Sequence, residues 1–333
     1  MREPTRKFHK ALVTGGAGFI GSHLVEELLK TGIEVVSLDN YFAGKKENLA
    51  PFHEYSNFTE VNCDVTDYPN LEQYFDGVDV VFHQAASKKT ICLNDPRRDL
   101  QINAEGTFNL LELAVKYNVK KFVHASTGSV YGEAQYLPQN EQHPLVPTSY
   151  YGVSKLAGEK YVNAFHHLYG LNTTVLRYFH VYGPRQESSN VGGVVSIFTR
   201  LMLAGQPVTI FGDGSQQRSF TYVKDVVKAN LLAATCPETA GEVFNCASGI
   251  KVTISELVEA IAEILDIQGQ EIRYADWTPG DIKTFDIDNS KIREQIGLEF
   301  ITDFKQGLKL TIDWAKEFFA KGRSACIKTT KSL

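Results

Sequence analysis

Residues 11–30 read Ala-Leu-Val-Thr-Gly-Gly-Ala-Gly-Phe-Ile-Gly-Ser-His-Leu-Val-Glu-Glu-Leu-Leu-Lys. A short apolar run, Ala11–Thr14, meets glycines at positions 15, 18 and 21 and passes directly into helical spacing over Ile20–Leu29. Runs of that length suit strands covered on both faces. Working outward, comparable runs recur at Glu34–Leu38, Asn57–Val61, Asp79–Phe82, Lys121–His124 and Thr173–Tyr178. Helical spacing lies between them at Leu71–Phe75, Leu100–Tyr117 and Tyr150–Tyr169. This βαβα rhythm predicts an α/β fold, a doubly wound parallel sheet with helices on both sides.

After Tyr182 the rhythm loosens into a polar loop, Gly183 to Gly193, followed by a helix over Val194–Ala204 and a short strand, Val208–Phe211. Arg218–Val223 and Glu242–Asn245 are expected to rejoin the first sheet. Further helices are expected at Ser255–Leu265, Lys291–Gln295 and Phe304–Ala320. The expected organisation is a Rossmann-like nucleotide-binding domain over residues 1–180, rejoined by about 219–250. Residues 181–218 and 251–325 form a smaller α+β substrate-binding lobe, and 326–333 a tail.

The chain has 333 residues, room for about two domains or one large α/β unit by the usual domain sizes. Apolar residues are 43% and charged residues 22%, which excludes wholesale disorder. Lys+Arg 34 against Asp+Glu 39 gives a net charge of -5, so no global basic field draws the protein to nucleic acid or anionic lipid. An anionic ligand must therefore be held by local groups. No apolar run reaches the roughly 20 residues that a membrane helix needs. Met1–Lys10 is basic but leads straight into a strand, without the apolar core of a signal peptide, and Lys331-Ser332-Leu333 only scrambles the peroxisomal tripeptide. Five cysteines (63, 92, 236, 246 and 326) form no CxxC pair. A soluble cytoplasmic protein with reduced thiols and no metal is expected.

The glycine turn reads as a phosphate loop. Glycines let the backbone approach a pyrophosphate, while the helix N-terminus offers unpaired N–H groups and a positive dipole. Leu38-Asp39-Asn40 ends the second strand and places a carboxylate where an adenosine ribose would offer its hydroxyls. An acid there repels a 2′-phosphate, so NAD is expected over NADP; a turn or capping role for Asp39 is the alternative. Asp64-Val65 either contacts adenine or makes a plain turn. Tyr151 and Lys155 stand four apart on one helix face. A cation beside a phenol favours phenolate and makes the tyrosine a usable general base. The fifth strand ends in Ser126-Thr127-Gly128-Ser129, which brings a hydroxyl beside that pair.

On these residues the chain resembles the extended short-chain dehydrogenase/reductase superfamily, within its nucleotide-sugar epimerase/dehydratase branch. The resemblance spans roughly residues 8–320. It rests on TGGAGFIGSHL, Asp39, His83-Gln84-Ala85-Ala86, Asn103-Ala104-Glu105-Gly106-Thr107, STGSVYG, YYGVSK, LRYFHVYGPRQ, IFGDGSQQRSFTYVKD and Pro279-Gly280-Asp281. It implies that Thr127, Tyr151 and Lys155 carry catalysis and that Asn103 supports the active-site helices. It implies that NAD is held by Gly15, Gly18, Phe19, Ile20, Gly21, Asp39, Asn40, Asp64, Val65, Gln84, Ala85, Ala86, Tyr151 and Lys155. Dehydratases and decarboxylases of this branch generally carry an acid just after the catalytic threonine, where this chain has Gly128 and Ser129. The pattern is closer to 4-epimerases, in which a C4 hydride passes to NAD, the 4-keto sugar turns over, and the hydride returns to the other face. A UDP-hexose of glucose, N-acetylglucosamine or glucuronate type is the expected substrate. A decarboxylase or 4,6-dehydratase is the enzymatic alternative, and a binding regulator without turnover the alternative of another class.

The resemblance also implies a sugar-nucleotide grip. Arg218 matches a diphosphate-binding arginine, whose fork of donors suits phosphate oxygens, with a surface ion pair as the alternative. Thr209 and Phe211 match positions bordering the base, although core packing would also explain Phe211. Asp281 fits a carboxylate accepting from ribose hydroxyls; Thr278 stands where the family often has arginine, with Lys283 a weak replacement. His180 replaces the usual asparagine and either touches substrate or sits at the core edge. Arg185 either meets a sugar carboxylate or pairs with Glu187, and Lys88 and Lys89 either face the sugar or form a solvated pair. Helices Leu100–Tyr117 and Tyr150–Tyr169 carry apolar residues over more than one stripe. A homodimer built on both helices would cover the second face; the C-terminal lobe is the alternative cover.

Overall fold

The computed structural model describes residues 8–87, 93–189, 192–277 and 286–330, with side chains to residue 320. Seven strands form one sheet: β1 Lys10–Thr14, β2 Glu34–Asp39, β3 Phe58–Asn62, β4 Val80–His83, β5 Lys121–Thr127, β6 Thr173–Tyr178 and Glu242–Cys246. Their spatial order is Glu242–Cys246, β6, β5, β4, β1, β2, β3, and each pairing is parallel. Alternate residues feed two cores. Ala11 and Val13 join Leu24, Val25 and Leu28 of helix α1 (Phe19–Lys30) on one face. Leu12 joins Leu110, Leu111, Val162 and Phe165 on the other. These last residues belong to the paired helices Gly106–Lys116 and Tyr150–Tyr169. Both faces are thus covered, which is why the strands read as continuous apolar runs.

Strand order reverses between β1 and β4, and a crevice opens there beyond the carboxyl ends of the strands, where doubly wound sheets bind ligands. The lobe stands above it. Helices Val194–Leu203, Ile254–Leu265 and Phe304–Thr330 share a separate core with the short pairs Val208–Phe211/Ile272–Ala275 and Gln217–Ser219/Lys251–Thr253. Thr253 caps the second of these helices: its Oγ1 accepts from Glu256 N at 3.1 Å, and the Glu256 carboxylate accepts from Thr253 N at 2.7 Å.

Three local expectations change. Glu242–Cys246 does rejoin the sheet, but Arg218–Val223 does not. Gln217–Ser219 pairs antiparallel with Lys251–Thr253, and Thr221–Tyr222 pairs parallel with Val181–Tyr182. From Val223 the chain is helical to Thr235, burying Val223, Val226, Val227, Asn230 and Ala234 at helical spacing, with the helix packed against α1. The expected helix Leu100–Tyr117 starts at Pro96 and widens into a π turn at Gln101–Glu105. The last helix continues to Thr330, through the start of the expected tail.

Candidate active site

The glycine turn owes its shape to close approach. Gly15 has φ 67, and a Cβ there would lie 2.7 Å from the backbone nitrogen of Ala85; at Gly21 it would lie 2.1 Å from the carbonyl oxygen of Gly15. Asp39, buried at the end of β2, accepts from Ala17 N at 3.0 Å and Tyr41 N at 2.8 Å. Burial pushes its carboxyl up, against the pull of those two N–H groups. The loop that follows crosses back over the turn, with Lys45 N and Asn48 Nδ2 both donating to Ala17 O, at 3.0 and 2.9 Å. Asp64 accepts from Asn40 Nδ2 at 2.6 Å and pairs with Arg98. Burial raises its pKa, but hydrogen bonds from Thr66 and Asn40 and the Arg98 charge outweigh that and leave it lowered.

A cavity of about 540 Å³ joins these parts. All fourteen residues expected to hold NAD line it, Tyr151 and Lys155 among them. Lys155 is 1% exposed and its Nζ has no hydrogen-bond partner among the described residues. Burial pulls its pKa down to about 8, with Glu159 and Asp99 resisting. Thr127 ends β5, one residue beyond Ser126 on the cavity wall; its Oγ1 accepts from Ser129 N at 3.2 Å. Beneath the helix, Asn103 donates to Asp99 (3.1 Å) and Ser154 (2.9 Å) and accepts from Ser87 N (2.9 Å). That is the supporting position expected for it.

Arg218, Thr209, Phe211 and His180 stand apart from this cavity. Arg218 is buried and donates Nη1 to Gln217 O at 2.8 Å. Thr209 lies opposite Arg273 on the lobe's edge pair, and Phe211 is 49% exposed, so core packing does not account for it. His180, at φ 37, sets its ring edge-on to Phe220, with centroids 6.0 Å apart. Arg185 lines the cavity and pairs with Glu26 of α1 at 2.7 Å, not with Glu187. Glu187 pairs instead with Lys45 at 3.3 Å. Lys88, Lys89, Thr278, Asp281 and Lys283 lie outside the described residues. The sequence reading missed Lys45, Gln186 and Glu187 on the cavity wall, and Ser126 and Tyr178 at its base. The polar loop after Tyr182 was the available signal for Gln186 and Glu187.

The residues present fit a dinucleotide. The turn has no room for a Cβ, a carboxylate stands at ribose position, and a buried cation lacks a hydrogen-bond partner among the described residues. An enzyme that works such a cofactor against a second ligand, with a tyrosine–lysine pair on the cleft wall, is the class this arrangement defines. The chain belongs to the NAD dependent epimerase/dehydratase family, whose model matches residues 11–247. It is 41% identical over 308 residues to a putative UDP-glucose 4-epimerase of Methanocaldococcus jannaschii, covering 92% of this chain and 98% of that one. A crystal structure of Thermotoga maritima UDP-glucose 4-epimerase with UDP-glucose superposes with TM-score 0.88 at 40% identity, covering 93% and 99%. Thermus thermophilus UDP-glucose 4-epimerase, in complex with NAD, gives TM-score 0.83 at 37% identity, covering 92% and 98%.

Proposed function

We infer that the protein is an NAD-dependent nucleotide-sugar 4-epimerase that inverts C4 of a UDP-hexose through a transient 4-keto sugar. The observation that carries the choice among family reactions is the strand tip after Thr127. A Cβ at Gly128 would lie 2.3 Å from the Phe179 ring, so no acid fits there, and Ser129 N is spent on Thr127. Among the described residues, the carboxylates on the cavity wall are Asp39 and Asp64, at the adenosine end, and Glu187, tied to Lys45. Losing water or CO2 needs an additional proton carrier beside the sugar; inverting a carbinol does not.

Tyr151, as phenolate, takes the C4 hydroxyl proton and later returns it. Lys155 holds the phenolate in that state by its charge, and Thr127 orients the sugar oxygen. Bound NAD supplies the acceptor and donor of the C4 hydride. Because both faces of C4 must meet the same groups, the protein has to grip the nucleotide and leave the sugar free to turn. Arg218, Thr209, Phe211 and His180 are the described residues proposed for that grip, together with Lys89 and Asp281. Arg185 serves to tie the loop to α1.

The assembly is a homodimer, supported by the exposed apolar stripe on helix Tyr150–Tyr169. A cytoplasmic setting suits the free thiols of Cys63 and Cys246. Among the described residues, no helix is long and apolar enough to cross a membrane.

NMR of the protein incubated with a panel of UDP-hexoses, without added cofactor, tests the reading. A C4-inverted product with bound NAD is expected, and Tyr151→Phe should lose turnover by about 100-fold or more while retaining both ligands. Release of CO2 or water would replace the epimerase by its relatives. Binding without turnover would make the protein a sensor.

A further inference from the structure

Glu159 lies one turn beyond Lys155 on the helix Tyr150–Tyr169 and is buried with it. Its carboxylate is fully engaged. Arg177 of β6 donates Nε to Oε1 at 3.0 Å and Nη2 to Oε2 at 2.8 Å, and Ser126 of β5 donates Oγ to Oε1 at 2.5 Å. Arg177 also donates Nη1 to the Tyr131 hydroxyl at 2.8 Å, and its guanidinium carbon lies 4.7 Å from the centre of that ring. Tyr131 in turn donates to Asn245 at 2.6 Å. Ser126 and Arg177 face each other in the β5–β6 register. The buried ion pair thus joins the helix bearing Tyr151 and Lys155 to β6, and the Ser126 hydrogen bond joins it to the strand that ends in Thr127.

Buried ion pairs seldom stabilise a fold more than apolar residues of the same volume would. The reason for this one lies at Lys155, a buried ammonium without a hydrogen-bond partner among the described residues. Two carboxylates face it, Glu159 from its own helix and Asp99 from Pro96–Leu100, the latter engaged by Ser154 and Asn103. From β4 and β5 come His83 and His124, held neutral by burial and by the lysine charge itself. From β6 comes Arg177, spent on Glu159. The π turn and the helix Gly106–Lys116 contribute the neutral Asn103 and Thr107.

We propose that Glu159, gripped by Arg177, is a positioning residue for the reaction: through Ser126 it seats Thr127, and by its charge it keeps Lys155 an ammonium. This rests on the epimerase reading, in which Lys155 and Thr127 serve Tyr151 at the sugar. The two halves separate by substitution. Glu159→Gln keeps an acceptor oxygen for Ser126 but removes the charge. Losing a negative neighbour lowers the pKa of lysine and phenol alike, so both limbs of the kcat/KM profile should move to lower pH by about one unit. Ser126→Ala keeps the charge and should lower kcat about tenfold through misplacement of Thr127, with the limbs unmoved.

The experiment records pH profiles of the wild-type holoenzyme and both variants on the UDP-hexose it turns over, with bound NAD measured in each. If Glu159→Gln does not fold because Arg177 is left unpaired, Glu159→Met with Arg177→Met removes the pair as a unit. The same acid shift, smaller, is then expected, since the Glu159 charge acts on Lys155 while Arg177 is spent on Glu159. Variants with intact NAD, unmoved limbs and wild-type kcat overturn the proposal alone. A wild-type protein without turnover overturns the epimerase reading and takes the proposal with it.

Discussion

Taking an ammonium out of water without a partner is costly, and Lys155 is 1% exposed with no hydrogen bond from the described residues to its Nζ. Its pKa falls to about 8 from the ordinary 10.5. Below about pH 8 both folded and unfolded chains carry the proton, and the full cost of burial is present. Between about 8 and 10.5 the unfolded chain holds a proton that the folded one lacks, so this group's contribution to stability rises with pH. In the proposed mechanism turnover runs the other way, because the Tyr151 phenolate would lose its cation over the same window. We expect kcat/KM to decline above pH 8 without a matching fall in thermal midpoint. Lys155→Met should lower kcat by about 100-fold to 10,000-fold and raise the midpoint at pH 7. Kinetics and calorimetry across pH 7–9.5 check both signs; a midpoint that drops in parallel with turnover would mean simple unfolding. Lys155 and Tyr151 were legible because partners four apart on a helix must share a face. Arg185 was not, since its partner Glu26 lies 159 residues earlier and only the fold brings them together.

At the scale of elements, the π turn at Gln101–Glu105 is the feature that local pattern could not reveal. It interrupts a helix whose apolar spacing reads as continuous, and Asn103 stands at its centre, fully buried. π turns inside α-helices concentrate at functional sites, and here the widened turn lets one amide meet Asp99, Ser154 and Ser87 at once. Removing that amide leaves Ser87 N–H without its acceptor and takes from Asp99 one of its two side-chain donors, Ser154 being the other. Asn103→Ala should therefore cost about 1–3 kcal/mol in urea unfolding, and should lower kcat more than it alters KM, because Ser154 sits on the helix turn between Tyr151 and Lys155. Unchanged kcat at reduced stability would confine Asn103 to the fold. The strands of the sheet were legible for the opposite reason, since double coverage leaves no polar face to disguise them. The helix Val223–Thr235 was missed because its leading valines favour strands in isolation, while packing against α1 decides otherwise.

At the scale of the whole molecule, an apolar surface stands open on the helix Tyr150–Tyr169. On helix Tyr150–Tyr169 the residues Gly152, Lys155, Glu159, Val162 and Phe165 turn inward. Val153, Ala157, Tyr161, Ala164 and Leu168 follow at spacings of four, four, three and four, and so form a second stripe. Val153 is 53% exposed and Leu168 74%, so the lobe, the alternative cover, does not reach them. Phe108 of the neighbouring helix extends the patch, edge-on to Tyr161 with centroids 5.2 Å apart. Small alanines between larger residues let two such helices approach closely, and a two-fold pairing would set four helices side by side. A stable interface of this kind buries about 800 Å² on each partner, and a charge at its centre would be desolvated without compensation. Val153→Glu with Leu168→Glu should therefore convert a dimer to a monomer in sedimentation equilibrium. Bound NAD should stay, because the cofactor cavity is lined from the opposite side of the helix by Tyr151 and Lys155. A wild-type chain that sediments as a monomer at micromolar concentration would remove the dimer and leave the stripe for another partner. A double variant that remains dimeric would place the contact elsewhere on the surface.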